Sequence, residues 1–207
     1  MEVYLNNFQK RFIISLFAFP LLYLLIYKKF FFSIIIYIVF LISFYEWYKI
    51  NKKKNFLFII GIFFLLLAAY STITFYFKNS HNFFFLWVLL IVWLSDIGGY
   101  IFGKLFGGKK LTKVSPNKTW SGAFGSIVLS QFAGVVFFFN STLEINLKLF
   151  LIQFLLSVVA QVGDLIMSYC KRLNKVKDSS KLLPGHGGIL DRIDGLIWVM
   201  VVANIIL

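Results

Sequence analysis

The sequence predicts an all-α, polytopic integral membrane protein with about seven transmembrane helices. Hydrophobic residues occupy 60% of the 207 positions and include 27 phenylalanines, a far larger apolar share than a water-soluble domain contains. They form unbroken stretches of about 20 residues, the length that a helix needs to cross a hydrocarbon core of roughly 30 Å. Since no polar stretch is long enough for a separate soluble domain, we predict a single membrane domain over residues 1–207.

Seven apolar segments follow one another along the chain. Their approximate bounds are 12–27, 30–47, 56–77, 83–102, 120–139, 147–166 and 189–207. Only two lysines separate the first two segments, a spacing that fits either a tight helical hairpin or a re-entrant segment. No small-residue cleavage site follows the first segment, so we expect it to be retained as a span. Residues 1–82 form the N-terminal spans, and residues 83–207 contain the spans and cytosolic loops of the candidate site.

The distribution of positive charge predicts the orientation of the spans. With the N-terminus in the cytosol, sixteen of the 21 lysines and arginines lie in cytosolic loops and four lie outside. This bias follows the positive-inside rule and places loops 103–119 and 167–188 together on the cytosolic face. Cations in such loops set topology and meet anionic headgroups, so the net charge of +13 does not indicate nucleic-acid binding.

Four aspartates stand within or beside apolar segments, where ionisable groups are costly and usually face a cavity or a partner. Asp164 ends the sixth segment, and Asp191 and Asp194 share one face at the start of the seventh, so these three converge at one end of adjacent spans. Clustered carboxylates suit a hard cation such as Mg²⁺, and nearby cations suit phosphate. This pattern indicates metal-assisted chemistry on a phosphate or pyrophosphate. The alternative is that the aspartates only pair with Arg192 and the loop lysines to hold the spans together.

Both polar loops contain patterns that are typical of anion binding. The segment 184–188 reads Pro-Gly-His-Gly-Gly and precedes the last helix, where glycines let backbone N–H groups approach an anion. In the other loop, Ser115 and Thr119 are suited to binding phosphate, or Thr119 caps the following helix. Glu46 stands beside Trp47 at the end of a span, which we interpret as part of an interfacial aromatic belt, with a role for Glu46 in the site as the alternative.

The segment from Ser168 to Asp194 resembles the signature of the phosphatidate cytidylyltransferases, also called CDP-diacylglycerol synthases. It reads Ser-x₂-Lys-Arg-x₄-Lys-Asp-x₅-Pro-Gly-His-Gly-Gly-x₂-Asp-Arg-x-Asp. Further blocks match the family in order and spacing, and the resemblance covers roughly residues 90–200. These blocks are Asp96, the glycines from Gly103 to Gly108, Ser-Pro-Asn-Lys-Thr-Trp at 115–120 and Gly-Asp-Leu at 163–165.

The resemblance implies an activity and a set of site residues. The reaction is that of CTP with phosphatidate to give CDP-diacylglycerol and pyrophosphate, with Mg²⁺ as the metal and potassium as an assisting ion. The implied catalytic residues are Asp164, Lys171, Arg172 and Asp191, of which Asp164 and Asp191 are the metal ligands. The implied residues for substrate and nucleotide binding are Asp96, Ser115, Asn117, Lys118, Thr119, Lys177, Asp178, His186, Gly187, Gly188, Arg192 and Asp194.

The resemblance also implies a multi-pass protein of the cell (inner) membrane whose active site lies on the cytosolic face. CTP, a phosphatidate lipid and the membrane are the expected partners, nucleic acid is not, and a homodimer is compatible with the sequence. Three positions depart from the family pattern: Ser121 and Met167 stand where the family usually has Glu, and Cys170 stands where it has a larger aliphatic residue or Met.

Two other functions fit parts of the pattern. A transporter of a phosphate-bearing lipid or anion would use the same cationic cavity, but transporters often contain repeated halves and no repeat is visible here. A CDP-alcohol phosphotransferase would have Asp-Gly followed by Ala-Arg, and Asp194-Gly195 lacks that continuation.

Overall fold

The structure, a computed structural model, describes residues 29–51, 55–78, 83–139, 147–183 and 187–207. Within these ranges it contains six α-helices and no β-strand, which confirms the all-α prediction. The helices are α1 (Lys29–Asn51), α2 (Asn55–Lys78), α3 (Phe83–Phe106), α4 (Trp120–Phe139), α5 (Leu147–Leu173) and α6 (Leu190–Ile206). The first predicted segment, 12–27, lies outside the described residues, and each of the other six corresponds to a helix.

One predicted boundary is wrong in a way that affects the site. The sixth predicted segment ends at residue 166, with Lys171 and Arg172 in the following loop, whereas α5 continues to Leu173. No glycine or proline interrupts residues 165–173, and the loss of hydrophobicity alone does not end a helix. Lys171 and Arg172 therefore extend from the last turn of a helix, which fixes their positions more firmly than a loop would.

Five of the six described helices, α1 to α5, are long and apolar enough to cross a membrane. The sixth, α6, has 17 residues and is not among them, so the predicted count of about seven is not confirmed. Large apolar side chains such as Phe63 and Tyr70 are exposed on the outer faces of the helices. Such surfaces suit contact with lipid, and the chain is a multi-pass membrane protein.

Helix α6 lies at the centre of the packing. Its residues Val199 and Met200 belong to one buried apolar cluster with residues of α3 and α5, such as Trp87 and Leu156. Leu190 and Ile197 of α6 belong to a second cluster, whose other buried members are Phe40, Trp47, Leu65, Ala68, Met167 and Cys170 of α1, α2 and α5. The start of α6, which contains two of the candidate aspartates, is thus held by helices from both parts of the chain.

Helices α3 and α4 approach each other closely because glycines line their contact. A Cβ atom at Gly98 would collide with the carbonyl of Gly125, and one at Gly122 would lie 2.7 Å from the carbonyl oxygen of Gly99. Small residues allow this kind of close packing between membrane helices. At the end of α3, Gly107 has φ of 57° and donates its N–H to the carbonyl of Gly103 at 3.1 Å, a glycine helix end.

Candidate active site

A cavity of about 360 Å³ lies between α3, the connection 107–119, α4 and α5. Gly99, Gly122 and Ser126 form part of its wall, so the close packing of α3 and α4 shapes it. Six of the predicted site residues line the cavity: Asp96, Ser115, Asn117, Lys118, Thr119 and Asp164. The structure therefore brings together residues that are as many as 68 positions apart in the sequence, from Asp96 to Asp164.

Lys118 and Asp164 form an ion pair on the wall of this cavity. Both side chains are 29% exposed, so the pair is open to a ligand that enters the cavity. The hydroxyl of Ser168 donates to the other oxygen of Asp164 at 3.3 Å. The loop fixes Lys118, because its N–H donates to the carbonyl of Ser115 at 3.0 Å and its carbonyl accepts from Leu111 at 2.8 Å.

Thr119 caps the start of α4. Its Oγ1 accepts a hydrogen bond of 3.1 Å from the N–H of Gly122, which is the capping role that the sequence left as one of two alternatives. Because Thr119 also lines the cavity, its role toward phosphate stays a prediction. Ser121, where the family usually has Glu, lies 2.9 Å from Thr119 Oγ1 and donates its hydroxyl to the carbonyl of Gly107. This bond ties the end of α3 to the start of α4.

A second group of charges lies where α5 ends and α6 begins. Lys171 Nζ is 2.8 Å from Asp191 Oδ1 and 3.6 Å from Asp194 Oδ2, and all three side chains are largely buried. Asp191 and Asp194 lie on one face of α6, as their spacing predicted. Asp164 and Asp96 are both close enough to Asp194 to interact with it electrostatically, so this group adjoins the cavity.

The second oxygen of Asp191 binds the backbone of the preceding loop. Asp191 Oδ2 accepts hydrogen bonds from the N–H groups of Ser179 at 2.8 Å and Gly188 at 2.9 Å. Gly187 has φ of 86°, and a Cβ atom there would lie 2.7 Å from the same oxygen. The glycines do let backbone N–H groups approach an anion, but in this structure the anion is a side chain of the protein itself.

Glu46 of α1 also belongs to this region, which agrees with the second of its two predicted roles and not with the aromatic belt. Its side chain is buried, with the residue only 1% exposed, and accepts hydrogen bonds from the 179–190 segment. The predicted interfacial belt is wrong at this point, because Trp47 is also buried and donates its indole N–H to the carbonyl of Phe58 at 3.1 Å. The lone acidic residue in an apolar segment was the signal that could have identified it.

The remaining predicted residues form no ion pair with either group of charges or lie outside the described residues. Arg172 is exposed and donates to the carbonyl of Val176 at 2.9 Å. Lys177, Asp178 and Arg192 are exposed, and none of the three forms an ion pair with a carboxylate within the described ranges. His186 lies outside the described residues. In the part of the chain that the structure describes, no group of three or more His, Cys, Asp and Glu is arranged to hold a metal ion.

Comparison with known proteins assigns the family. The model of the cytidylyltransferase family matches residues 56–207. A protein of Staphylococcus haemolyticus is 42% identical over 166 residues, one of Staphylococcus epidermidis is 43% identical and one of Staphylococcus aureus is 39% identical. Each match covers 77% of this chain, and each of these relatives is named phosphatidate cytidylyltransferase. The chain spans only 64% of the length of these relatives. Because the family model covers well over half of the sequence, the chain belongs to the cytidylyltransferase family.

Proposed function

We propose that this chain is a phosphatidate cytidylyltransferase, which converts CTP and phosphatidate into CDP-diacylglycerol and pyrophosphate. The observation that carries the proposal is the cavity lined by the Lys118–Asp164 pair, next to the Lys171–Asp191–Asp194 group, in a chain of the cytidylyltransferase family. The names of the relatives support the choice of phosphatidate as the acceptor. The cavity lies among apolar helices, a setting in which a lipid headgroup can meet a soluble nucleotide.

The proposed reaction is a direct displacement at phosphorus. A phosphate oxygen of phosphatidate forms a bond to the α-phosphorus of CTP, and the bond from that phosphorus to the bridging oxygen of the β-phosphate breaks. Pyrophosphate leaves with the electron pair. The attacking oxygen is already anionic at neutral pH, so the step needs no strong general base, and positioning with charge stabilisation is the main task.

The chain's own cations and hydrogen-bond donors perform that task in the proposal. Lys118, on the wall of the cavity, exchanges its ion pair with Asp164 for phosphate oxygens of the nucleotide. Lys171, held by two aspartates, offsets the charge that develops on the leaving pyrophosphate. Asn117 and the hydroxyl of Ser115 line the same cavity and orient the nucleotide by hydrogen bonds.

We also propose Mg²⁺ as the metal. Asp96 and Asp164 present carboxylate oxygens to the cavity, and such hard donors suit Mg²⁺. Of the two predicted ligands, Asp164 is better supported, because among the described residues only Lys118 and Ser168 form hydrogen bonds with its side chain. Asp191 already accepts three hydrogen bonds on its two oxygens. When bound, Mg²⁺ would neutralise negative charge on the triphosphate. Potassium as an assisting ion and a homodimer stay predictions.

The test of the proposed function is a synthesis assay on the purified chain in detergent with phosphatidate, CTP and Mg²⁺. We expect release of pyrophosphate and formation of CDP-diacylglycerol that require both substrates together. Omission of either substrate is the matched control. If neither product forms, while the protein in vesicles moves a phosphate-bearing lipid or anion across the bilayer, the transporter is the better assignment.

The proposed location is the cell (inner) membrane, with the site on the cytosolic face. We expect Lys175→Cys to react with a membrane-impermeant maleimide in inside-out vesicles but not in intact cells, because positive loops face the cytosol. Lys175 is exposed, and the native Cys170 is buried and so gives little background. Lys148→Cys, at the opposite end of α5, is the matched control and should react in intact cells. Labelling of Lys175→Cys in intact cells would show that the proposed orientation is wrong.

A further inference from the structure

We infer that Glu46 is a positioning residue for this site, which acts by fixing the segment that holds Asp191 against Lys171. The inference rests on the proposed function for its effect on catalysis. Glu46 lies in α1, outside the residues 56–207 that the family model matches. The inference therefore gives α1, which lies before the matched region, a part in the site.

The carboxylate of Glu46 is fully engaged by neutral donors. Oε1 accepts from Ser180 Oγ at 2.6 Å and from the N–H of Ile189 at 3.1 Å. Oε2 accepts from Ser179 Oγ at 2.8 Å and from the N–H of Leu190 at 2.8 Å. Each oxygen thus receives one hydroxyl and one backbone N–H, which fills the roughly four acceptor sites of a carboxylate.

No cation pairs with this buried carboxylate among the described residues. Its negative charge lies instead at the N-terminus of α6, where unpaired backbone N–H groups and the helix dipole favour an anion. Ile189 provides no side-chain cap to α6, so Glu46, from a different helix, takes that place. The start of α6 is therefore occupied by the protein's own carboxylate.

Ser179 connects Glu46 to the charged group of the site. Its hydroxyl donates to Glu46 and its backbone N–H donates to Asp191, whose other oxygen accepts from Lys171. Gly188 lies against the same group, since a Cβ atom there would collide with Ser179 Oγ and lie 2.5 Å from Glu46 Oε2. If Glu46 no longer binds the loop, Asp191 loses two fixed donors and the position of the Lys171 ammonium is no longer set.

The pairing of donors makes Glu46→Gln a sharp test. Whichever way the glutamine amide turns, its NH₂ group faces one serine hydroxyl and one backbone N–H. The hydroxyl can rotate and accept a hydrogen bond, but the backbone N–H cannot, so it is left buried without a partner. Ser43→Ala is the matched control, because Ser43 is equally buried on α1 and, within the described ranges, its hydroxyl bonds only the carbonyl of Val39 in its own helix.

The experiment compares the full chain with Glu46→Gln, Ser43→Ala, Ser179→Ala and the double variant Glu46→Gln with Ser179→Ala. At a temperature where all are folded, we expect kcat/KM for CTP to fall about 10–100-fold in Glu46→Gln, the effect of an unpaired buried donor. Ser43→Ala should match the wild type. Ser179→Ala should lose less, and the double variant should be close to Glu46→Gln, since both act through one contact.

A second readout separates this inference from the proposed function. Amide hydrogen exchange of residues 176–183 and 187–191 should accelerate at least tenfold in Glu46→Gln and stay unchanged in Ser43→Ala. Unchanged exchange, or wild-type kcat/KM in Glu46→Gln, would overturn the positioning role. If Glu46→Gln does not fold, Ser179→Ala and Ser180→Ala take its place. Wild-type hydrogen exchange and wild-type activity in both of these variants would likewise overturn the positioning role. An inactive wild type with accelerated exchange in Glu46→Gln would refute the proposed function alone.

Discussion

Replacing Lys171 with alanine is expected to lower kcat/KM for CTP by about 100-fold or more. The change removes the ammonium group that would offset the charge of the phosphates. It also leaves the largely buried carboxylates of Asp191 and Asp194 without their cation, which should lower the free energy of unfolding by about 3–5 kcal/mol. Arg172→Ala should lower kcat/KM only about 2–10-fold, because Arg172 is exposed and bonds a loop carbonyl. Lys148→Ala, at the far end of the same helix, is the control for the loss of one positive charge.

Loss of stability alone could also reduce activity in Lys171→Ala, so a double variant is needed. Asp194→Asn combined with Lys171→Met removes one of the two carboxylates together with the cation, and should restore much of the melting temperature. It should not restore turnover, since no ammonium remains to offset the charge of the phosphates. If activity returned with stability, Lys171 would serve only to hold the helices together. An equal loss in Arg172→Ala would place Arg172 at the substrate.

Much of the helical architecture could be predicted from the sequence because apolar length directly determines what spans a bilayer. Each described helix corresponds to a predicted segment, while the ends were less certain. Helix α5 continues to Leu173 because polar residues such as Lys171 are good helix formers, so the helix extends beyond the end of the apolar segment at residue 166. The packing of α6 against α1 and α2 depends on shape and could not be predicted from periodicity.

Part of the candidate site could be predicted, because its motif residues lie in loops and span ends that the charge pattern places on the same face of the membrane. Lys118 and Asp164 are 46 positions apart and form an ion pair, and the charge bias had placed loops 103–119 and 167–188, which include or adjoin them, on one face of the membrane. The contacts of Glu46 could not be predicted, because its partners are 133 to 144 positions away and two of the four are backbone N–H groups, which carry no side-chain signature. Arg172 follows Lys171 in the sequence but points away from it, as adjacent residues on a helix do.

Asp164→Asn is expected to nearly abolish turnover while leaving the fold almost unchanged. Asp164 is partly exposed on the cavity wall, and an ion pair of this kind contributes about 1 kcal/mol or less, so the melting temperature should fall by no more than about 4 °C. If Asp164 holds Mg²⁺, excess Mg²⁺ should partly restore turnover by mass action. A folded Asp164→Asn protein with wild-type activity would remove Asp164 from the site.

Asp191→Asn should also lose turnover, but here we expect the melting temperature to fall on the order of 10 °C. The amide NH₂ of the asparagine must face either the Lys171 ammonium or the two N–H groups of Ser179 and Gly188, so a buried hydrogen bond is lost in either orientation. If Asp164 and Asp191 share one Mg²⁺, the double variant should be little worse than either single one, since the two act as a unit. Excess Mg²⁺ should then rescue both single variants. If excess Mg²⁺ rescues Asp164→Asn but not Asp191→Asn, Asp191 is not a metal ligand and serves to hold Lys171 and the loop in place. Additive losses of activity in the double variant would lead to the same conclusion, since they would show that the two residues act independently.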